Sequence, residues 1–208
     1  NRRRKKYRAQ IRKFEAAGGY RRFEARSAAE VDSLLDLFFR FKGERLQRMG
    51  VADTFGSPHV RESFRRLFRA ALDTQPAAFV LHALGVGGKV RAITGSSRAG
   101  DRMVCEFGAF AEDELTKAAP GDFLSYENIA EACAEGFTLY DFGVGDEPYK
   151  RAWCDIEIRH FDVFVGLTPR GRGLAVASFA TAAAKRMVKQ NPALAKVARR
   201  ARQLLGRG

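Results

Sequence analysis

Apolar positions recur every three or four residues at Tyr7, Ile11 and Phe14, which predicts a helix over 1–17 that Gly18-Gly19 ends. Tyr20 to Arg26 then alternates and predicts a short strand. Ser27 followed by Glu30 forms a capping-box pattern ahead of a helix that carries Val31, Leu34, Leu35, Phe38, Phe39 and Phe41. After a loop over 53–58, a second apolar stripe runs through Val60, Phe64, Leu67, Phe68, Ala71 and Leu72. Spacing of this kind marks the buried face of a helix, so these aromatic residues are expected in the core and not on a base-stacking surface.

The pattern changes at Ala77. Strands are expected over 77–84, 89–96 and 101–111, joined by the Gly-rich turns 85–88 and 97–100, which makes an antiparallel meander. A helix is expected over 122–135 with Gly136 as its stop, then a strand over 137–142 and a short helix over 147–153. Ile156 to Leu167 alternates again and predicts the last strand; from Pro169 the pattern is helical, broken at Asn191-Pro192. Helices, a meander, then helix, strand, helix, strand describe an α+β domain with one crossover, not a doubly wound sheet.

Charge adds one feature to this picture. Of the net +13, residues 1–26 carry +9 and residues 185–208 carry +8, which leaves the middle mildly acidic. Two basic ends suit solvated helix faces, or an anionic partner such as a nucleic acid or a membrane surface. Cys105, Cys133 and Cys154 are widely spaced, as are His59, His82 and His160, so no metal-ligand spacing occurs and no metal site is expected. The odd, scattered cysteines fit a reducing cytoplasm, and no apolar run is long enough to span a bilayer. The first residue is Asn1, so a preceding domain is expected to be missing from this chain.

Two stretches have the chemistry of a ligand site. Ala119-Pro120-Gly121-Asp122 opens a helix after the meander, where free N–H groups and the positive dipole end favour an anion. Further on, Tyr140-Asp141-Phe142-Gly143-Val144-Gly145 brings an acid to a strand end before two glycines, and Tyr149-Lys150 follows on a short helix. Tyrosine can protonate a leaving thiolate, and lysine can pair with a phosphate or carboxylate.

In this order, Pro120-Gly121, Gly136, Tyr140-Asp141-Phe142-Gly143-x-Gly145 and Tyr149-Lys150-x-x-Trp153 resemble the CelD/BcsL-type acetyltransferases linked with cellulose and exopolysaccharide biosynthesis, over about residues 2–155. The resemblance implies a GNAT fold, with a mixed central sheet flanked by helices, in a cytoplasmic bacterial protein that is membrane-peripheral at most. It implies an acyl-CoA donor, acetyl-CoA above all, and a small-molecule or glycan-type acceptor. The expected domain is 1–168, followed by a basic helical tail over 169–208. Arg170-Gly171-Arg172-Gly173-Leu174-Ala175 matches the Arg/Gln-x-x-Gly-x-Gly/Ala pyrophosphate loop of GNAT enzymes, but too little chain follows it to complete that fold. It is therefore read as a coincidental match.

On this reading Tyr149 is the catalytic acid, and Asp141 or Glu106 the base. Pro120, Gly121, Asp122 and Phe123 contact the cofactor pyrophosphate, the backbone around Ala109 and Phe110 holds the pantetheine arm, and Lys150 and Trp153 bind substrate. Asp122 departs from the usual phosphate-binding loop. Two other readings stand beside this one: aminoacyl transfer from a charged tRNA on the same fold, as in the similar Fem-type enzymes, and a scaffold that has lost its cofactor.

Overall fold

The computed structural model describes residues 2–145 and 147–191. Its first compact unit takes in residues to Leu46 and Asp53–Asp155. In chain order this unit holds α1 (Arg2–Ala16), β1 (Tyr20–Glu24), α2 (Ala28–Arg48), α3 (Pro58–Ala71), β2 (Phe79–Val86), β3 (Lys89–Ala99), β4 (Arg102–Phe110), α4 (Pro120–Ala134), β5 (Leu139–Asp141) and α5 (Pro148–Trp153). The five strands lie side by side in the order β1-β2-β3-β4-β5. All neighbours are antiparallel except β4 and β5, which α4 connects as a parallel crossover.

The meander strands run longer than alternation suggested, because β2 and β3 continue to Val86 and Ala99 and leave only Gly87-Gly88 and Gly100-Asp101 as turns. Gly87 is required: at φ 57°, a Cβ there would lie 2.4 Å from the Ala17 carbonyl oxygen. β5, expected over 137–142, is only three residues long.

Each face of the sheet buries a different chemistry. One carries Leu81, Ala83 and Ile93 against Val31, Leu35, Phe38, Phe39 and Phe68 of α2 and α3, with Phe55, Phe64 and Phe107 closing the cluster. Leu67 departs from its expected stripe and is exposed. The other face is covered by α4, with α1 packed on α4. At one end it is apolar, with Phe14, Leu84, Val86, Ala92, Phe123 and Leu124. Toward the other end it is polar: Arg22 is hydrogen-bonded to Asn128 and Glu131, Asn128 donates to Thr94 Oγ1 at 2.8 Å, and His82 is fully buried between Glu24 and Glu131.

The second compact unit takes in Gln47–Ala52 and the chain from Ile156 onward. Here the strand expected over 156–167 is absent: the segment has no ladder, and Phe161, Val163, Val165 and Leu167 are exposed. Alternation gives a strand two faces, but a ladder needs a partner, and none pairs with it among the described residues. The helix α6 (Pro169–Gln190) follows, and Asn191 caps its C-terminal end. Residues 192–208, which include much of the expected basic tail, lie outside the described residues.

Candidate functional site

β5 pairs with β4 only through Arg102–Leu139, Met103–Tyr140 and Val104–Asp141. β5 ends at Asp141, and among the described residues no strand pairs with β4 on that side from Cys105 to Phe110. A bulge lies where the pairing ends. Gly95 faces Phe107 and Ser96 faces Cys105, which leaves Glu106 as the extra residue. Its carboxylate is exposed and accepts a hydrogen bond from Ser97 Oγ at 2.6 Å.

The ladder phase decides which backbone groups are free. Ala111 N–H donates to the Arg91 carbonyl at 2.8 Å, so by alternation Ala109 also turns its peptide groups toward β3. The N–H and C=O of Gly108 and Phe110 face the open edge instead. The expected contact at Phe110 is thus available, the one at Ala109 is committed to the sheet, and Gly108 joins the site. Gly108 also lies opposite Thr94, with no side chain to fill the space beside the edge.

α4 begins at the far end of this edge. Its N-cap, Ala119, is left-handed at φ 55°, and Gln10 Nε2 of α1 holds the carbonyls of Ala118 and Ala119 at 3.0 and 3.1 Å. Pro120 has no N–H, and Phe123 N–H already bonds to the Ala119 carbonyl. That leaves Gly121 and Asp122 as the free donors of the first turn. Phe123 offers no free group here: its donor is taken and its ring is fully buried. Phe110 borders Gly121, where a Cβ would sit 3.4 Å from the ring. Asp122 is neutralised locally, since Lys6 Nζ lies at 2.8 Å and Trp153 Nε1 donates at 3.2 Å. The acid that would repel a phosphate thus has its charge compensated from α1.

Several of the expected residues serve the local framework. Asp141 accepts from Gly143 N–H at 2.7 Å and faces Arg102 at 3.5 Å, so it shapes the turn after β5. Lys150 is buried, and its ammonium reaches the carbonyls of Gly143 and Val144 at 3.2 and 2.9 Å and Glu147 at 3.1 Å. It clamps the glycine loop and has little left for a substrate. Trp153 sits under Arg3 at 4.7 Å and near Tyr126, as a strut between α5 and the helices α1 and α4.

Tyr149 is half-exposed, with its ring against Phe142 at 6.0 Å. Burial, with smaller contributions from Cys105 and Glu147, pushes its pKa up to about 12. Cys105 is pushed up to about 11 by burial, so its thiol is protonated and inert. Sequence reasoning missed Lys42 and Arg45 of α2. Arg45 lies over Phe110 at 5.0 Å, and Lys42 is half-buried, with a pKa lowered by burial and by Arg45. No spacing in the chain signals them, because they meet β4 only through the fold.

The residues Arg170–Gly173 form the first turn of α6, with Thr168 accepting from Gly171 N–H at 3.0 Å, and no strand precedes them. No described helix is long and apolar enough to cross a membrane.

Comparison with known proteins agrees with this architecture. Among solved structures, an aminoglycoside acetyltransferase from an uncultured soil metagenomic sample, in complex with sisomicin, is 12% identical, with a TM-score of 0.51 over 70% of this chain and 96% of its own. The trehalose complex of that enzyme gives a TM-score of 0.50 over the same shares, also at 12% identity. A second aminoglycoside acetyltransferase from such a sample is 19% identical, with a TM-score of 0.47 over 71% of this chain and 99% of its own. At 12% identity, the first two show a likeness of fold alone. No curated protein matches the sequence. The model of the acetyltransferase (GNAT) domain family matches residues 1–151. With its mixed five-stranded sheet, the chain belongs to this family and is a GNAT acetyltransferase that draws its acyl group from acyl-CoA.

Proposed function

We propose that the chain transfers an acetyl group from acetyl-CoA to an amine or hydroxyl of a small polyhydroxylated acceptor, along the open edge of β4. The observation that carries this reading is the pairing of β5 with only the first three residues of β4. That leaves a free peptide edge running from Cys105 to the start of α4.

The residues present fit such a donor. Gly121 and Asp122 offer N–H groups to a pyrophosphate, with Asp122 compensated by Lys6 and Trp153. Gly108 and Phe110 offer backbone groups to an amide-bearing arm. Acyl-CoA supplies the activated thioester. The acceptor nitrogen or oxygen attacks the thioester carbonyl, the acceptor proton passes to Glu106, and the C–S bond breaks with the departing thiolate accepting a hydrogen bond from the Tyr149 phenol. Glu106 is preferred over Asp141 as base because Asp141 is held by Gly143 and Arg102. A glycan-type acceptor agrees with the resemblance to the exopolysaccharide-linked family, and the aminoglycoside acetyltransferases that share the fold have sugar-based acceptors.

The test is calorimetric titration with acetyl-CoA of the parent and of Gly121→Trp, followed by assay on a panel of amino sugars and polyols. Binding by the parent that Gly121→Trp abolishes supports the reading. No binding by a folded parent sinks it in favour of a scaffold, and salt-sensitive binding of charged tRNA instead would favour aminoacyl transfer.

A further inference from the structure

The polar end of the face under α4 holds an arrangement that acetyl transfer does not use. His82 on β2 is fully buried, and neither ring nitrogen has a hydrogen-bond partner. Its Nε2 points between two carboxylates, Glu131 Oε2 of α4 at 3.3 Å and Glu24 Oε2 of β1 at 3.5 Å. The three ligand atoms lie within 4.8 Å of one another.

These distances are long for N–H···O hydrogen bonds, which centre near ~2.9 Å. They match something else. Nitrogen and oxygen ligands at about 2.0–2.2 Å from a tetrahedral ion stand about 3.3–3.5 Å apart, the edge of the coordination tetrahedron. A buried imidazole left without a partner, facing two carboxylates at that spacing, has the donor set and the size of a cation site. We infer that Glu24, His82 and Glu131 bind one divalent first-row metal ion, of the zinc type.

The surroundings fit this assignment. Arg22 grips both oxygens of Glu131 and orients it, as outer-shell partners of ligating carboxylates do. Arg98 is paired with Glu135 at 3.2 Å, so its charge is met elsewhere. Glu24 also lines a cavity of about 800 Å³ whose walls include Arg26, Arg98, Gly100, Glu135 and Phe137. Coordination through Nε2 satisfies one of the two orphaned ring nitrogens. It also ties β1, β2 and α4 together, far from one another in sequence and at the other end of the sheet face from the α4 N-terminus.

The test uses the whole chain after EDTA treatment and dialysis. Zn2+ is titrated calorimetrically, and Co2+ is added as a spectroscopic probe of a tetrahedral site. The expected result is one ion per chain, visible-region Co2+ bands, and a higher melting temperature. Glu24→Gln, which keeps shape at a partly exposed position, should weaken Zn2+ binding on the order of a hundredfold and remove the bands, while circular dichroism stays native. His82→Gln is the second variant, with the same expectation. Three outcomes overturn the assignment: a folded parent that takes up neither ion, uptake unchanged in both variants, or a parent stabilised by mild acid without metal, which would place an imidazolium between the carboxylates.

Discussion

Tyr149 has a phenol that keeps its proton throughout the physiological range, because burial raises its pKa to about 12. A thiolate is a weaker base than this phenolate, since a thiol titrates near ~8.5, so Tyr149 acts by hydrogen-bonding the sulfur as the C–S bond breaks. Tyr149→Phe should therefore lower kcat by about a hundredfold with KM nearly unchanged, since the ring keeps its contact with Phe142. The raised pKa has a definite sign: loss of the Tyr149 proton gives no alkaline limb in kcat until pH approaches 12. Steady-state kinetics at several pH values check both points, and a change confined to KM would refute the acid role. Glu106→Gln should lower kcat as well, while Glu106→Asp retains part of it. At this scale the sequence offered Tyr149 as the acid and Asp141 or Glu106 as the base. The preference for Glu106 proposed above depends on the β4 bulge and on Arg102 and Gly143 meeting Asp141, which no linear pattern signals. His82, Glu24 and Glu131 show the same limit more strongly, since no linear spacing joins residues that meet only across β1, β2 and α4.

Elements that depend on local signals were the most legible. The Ser27–Glu30 capping box is present: Ser27 Oγ accepts from Glu30 N–H at 3.2 Å, and the Glu30 carboxylate accepts from Arg26 N–H at 2.8 Å. Accepting that N–H lowers the Glu30 pKa below its ordinary value of 4.5. A carboxylate with a depressed folded-state pKa stabilises the fold above its unfolded value, and the contribution is lost as pH falls through the folded one. Glu30→Gln should thus lower the melting temperature modestly at neutral pH and converge with the parent as pH falls below 4.5, as read by melting temperature against pH. The α5 segment was less legible. Its Lys150 looked like a ligand group, yet the fold spends it on the carbonyls of Gly143 and Val144. Lys150→Met should cost about 1–3 kcal/mol in chemical denaturation, because the loop carbonyls lose a charged donor. A substrate-binding lysine would instead raise KM at unchanged stability.

At the scale of the molecule, the basic first helix turns out to be a fastening for the N-terminal end of α4. Gln10 holds the N-cap carbonyls, Lys6 pairs with Asp122, and Tyr7 stacks on Phe123 at 4.8 Å and on Tyr126 at 4.0 Å. Arg4, Lys5, Arg8, Arg12 and Lys13 remain on the solvent side, so a helix can be both core and charged surface. The chain beyond Asp155 is built differently. Ile156, Ile158, Phe161, Val163, Val165 and Leu167 are all exposed, as are Leu174, Val176 and Phe179 of α6. Alternation there was legible as a tendency, but no partner strand among the described residues converts it to a ladder. The first unit, by contrast, contains both core clusters and every residue assigned to acetyl transfer. A chain ended after Asp155 should therefore unfold cooperatively near the parent melting temperature, bind acetyl-CoA with affinity within about threefold of the parent, and bind less of a hydrophobic dye. A truncated chain that melts broadly or loses acetyl-CoA would show that the segment from Ile156 onward supplies part of the working fold. Retention of both properties would locate the catalytic domain in residues up to 155 and leave the later segment to a separate task.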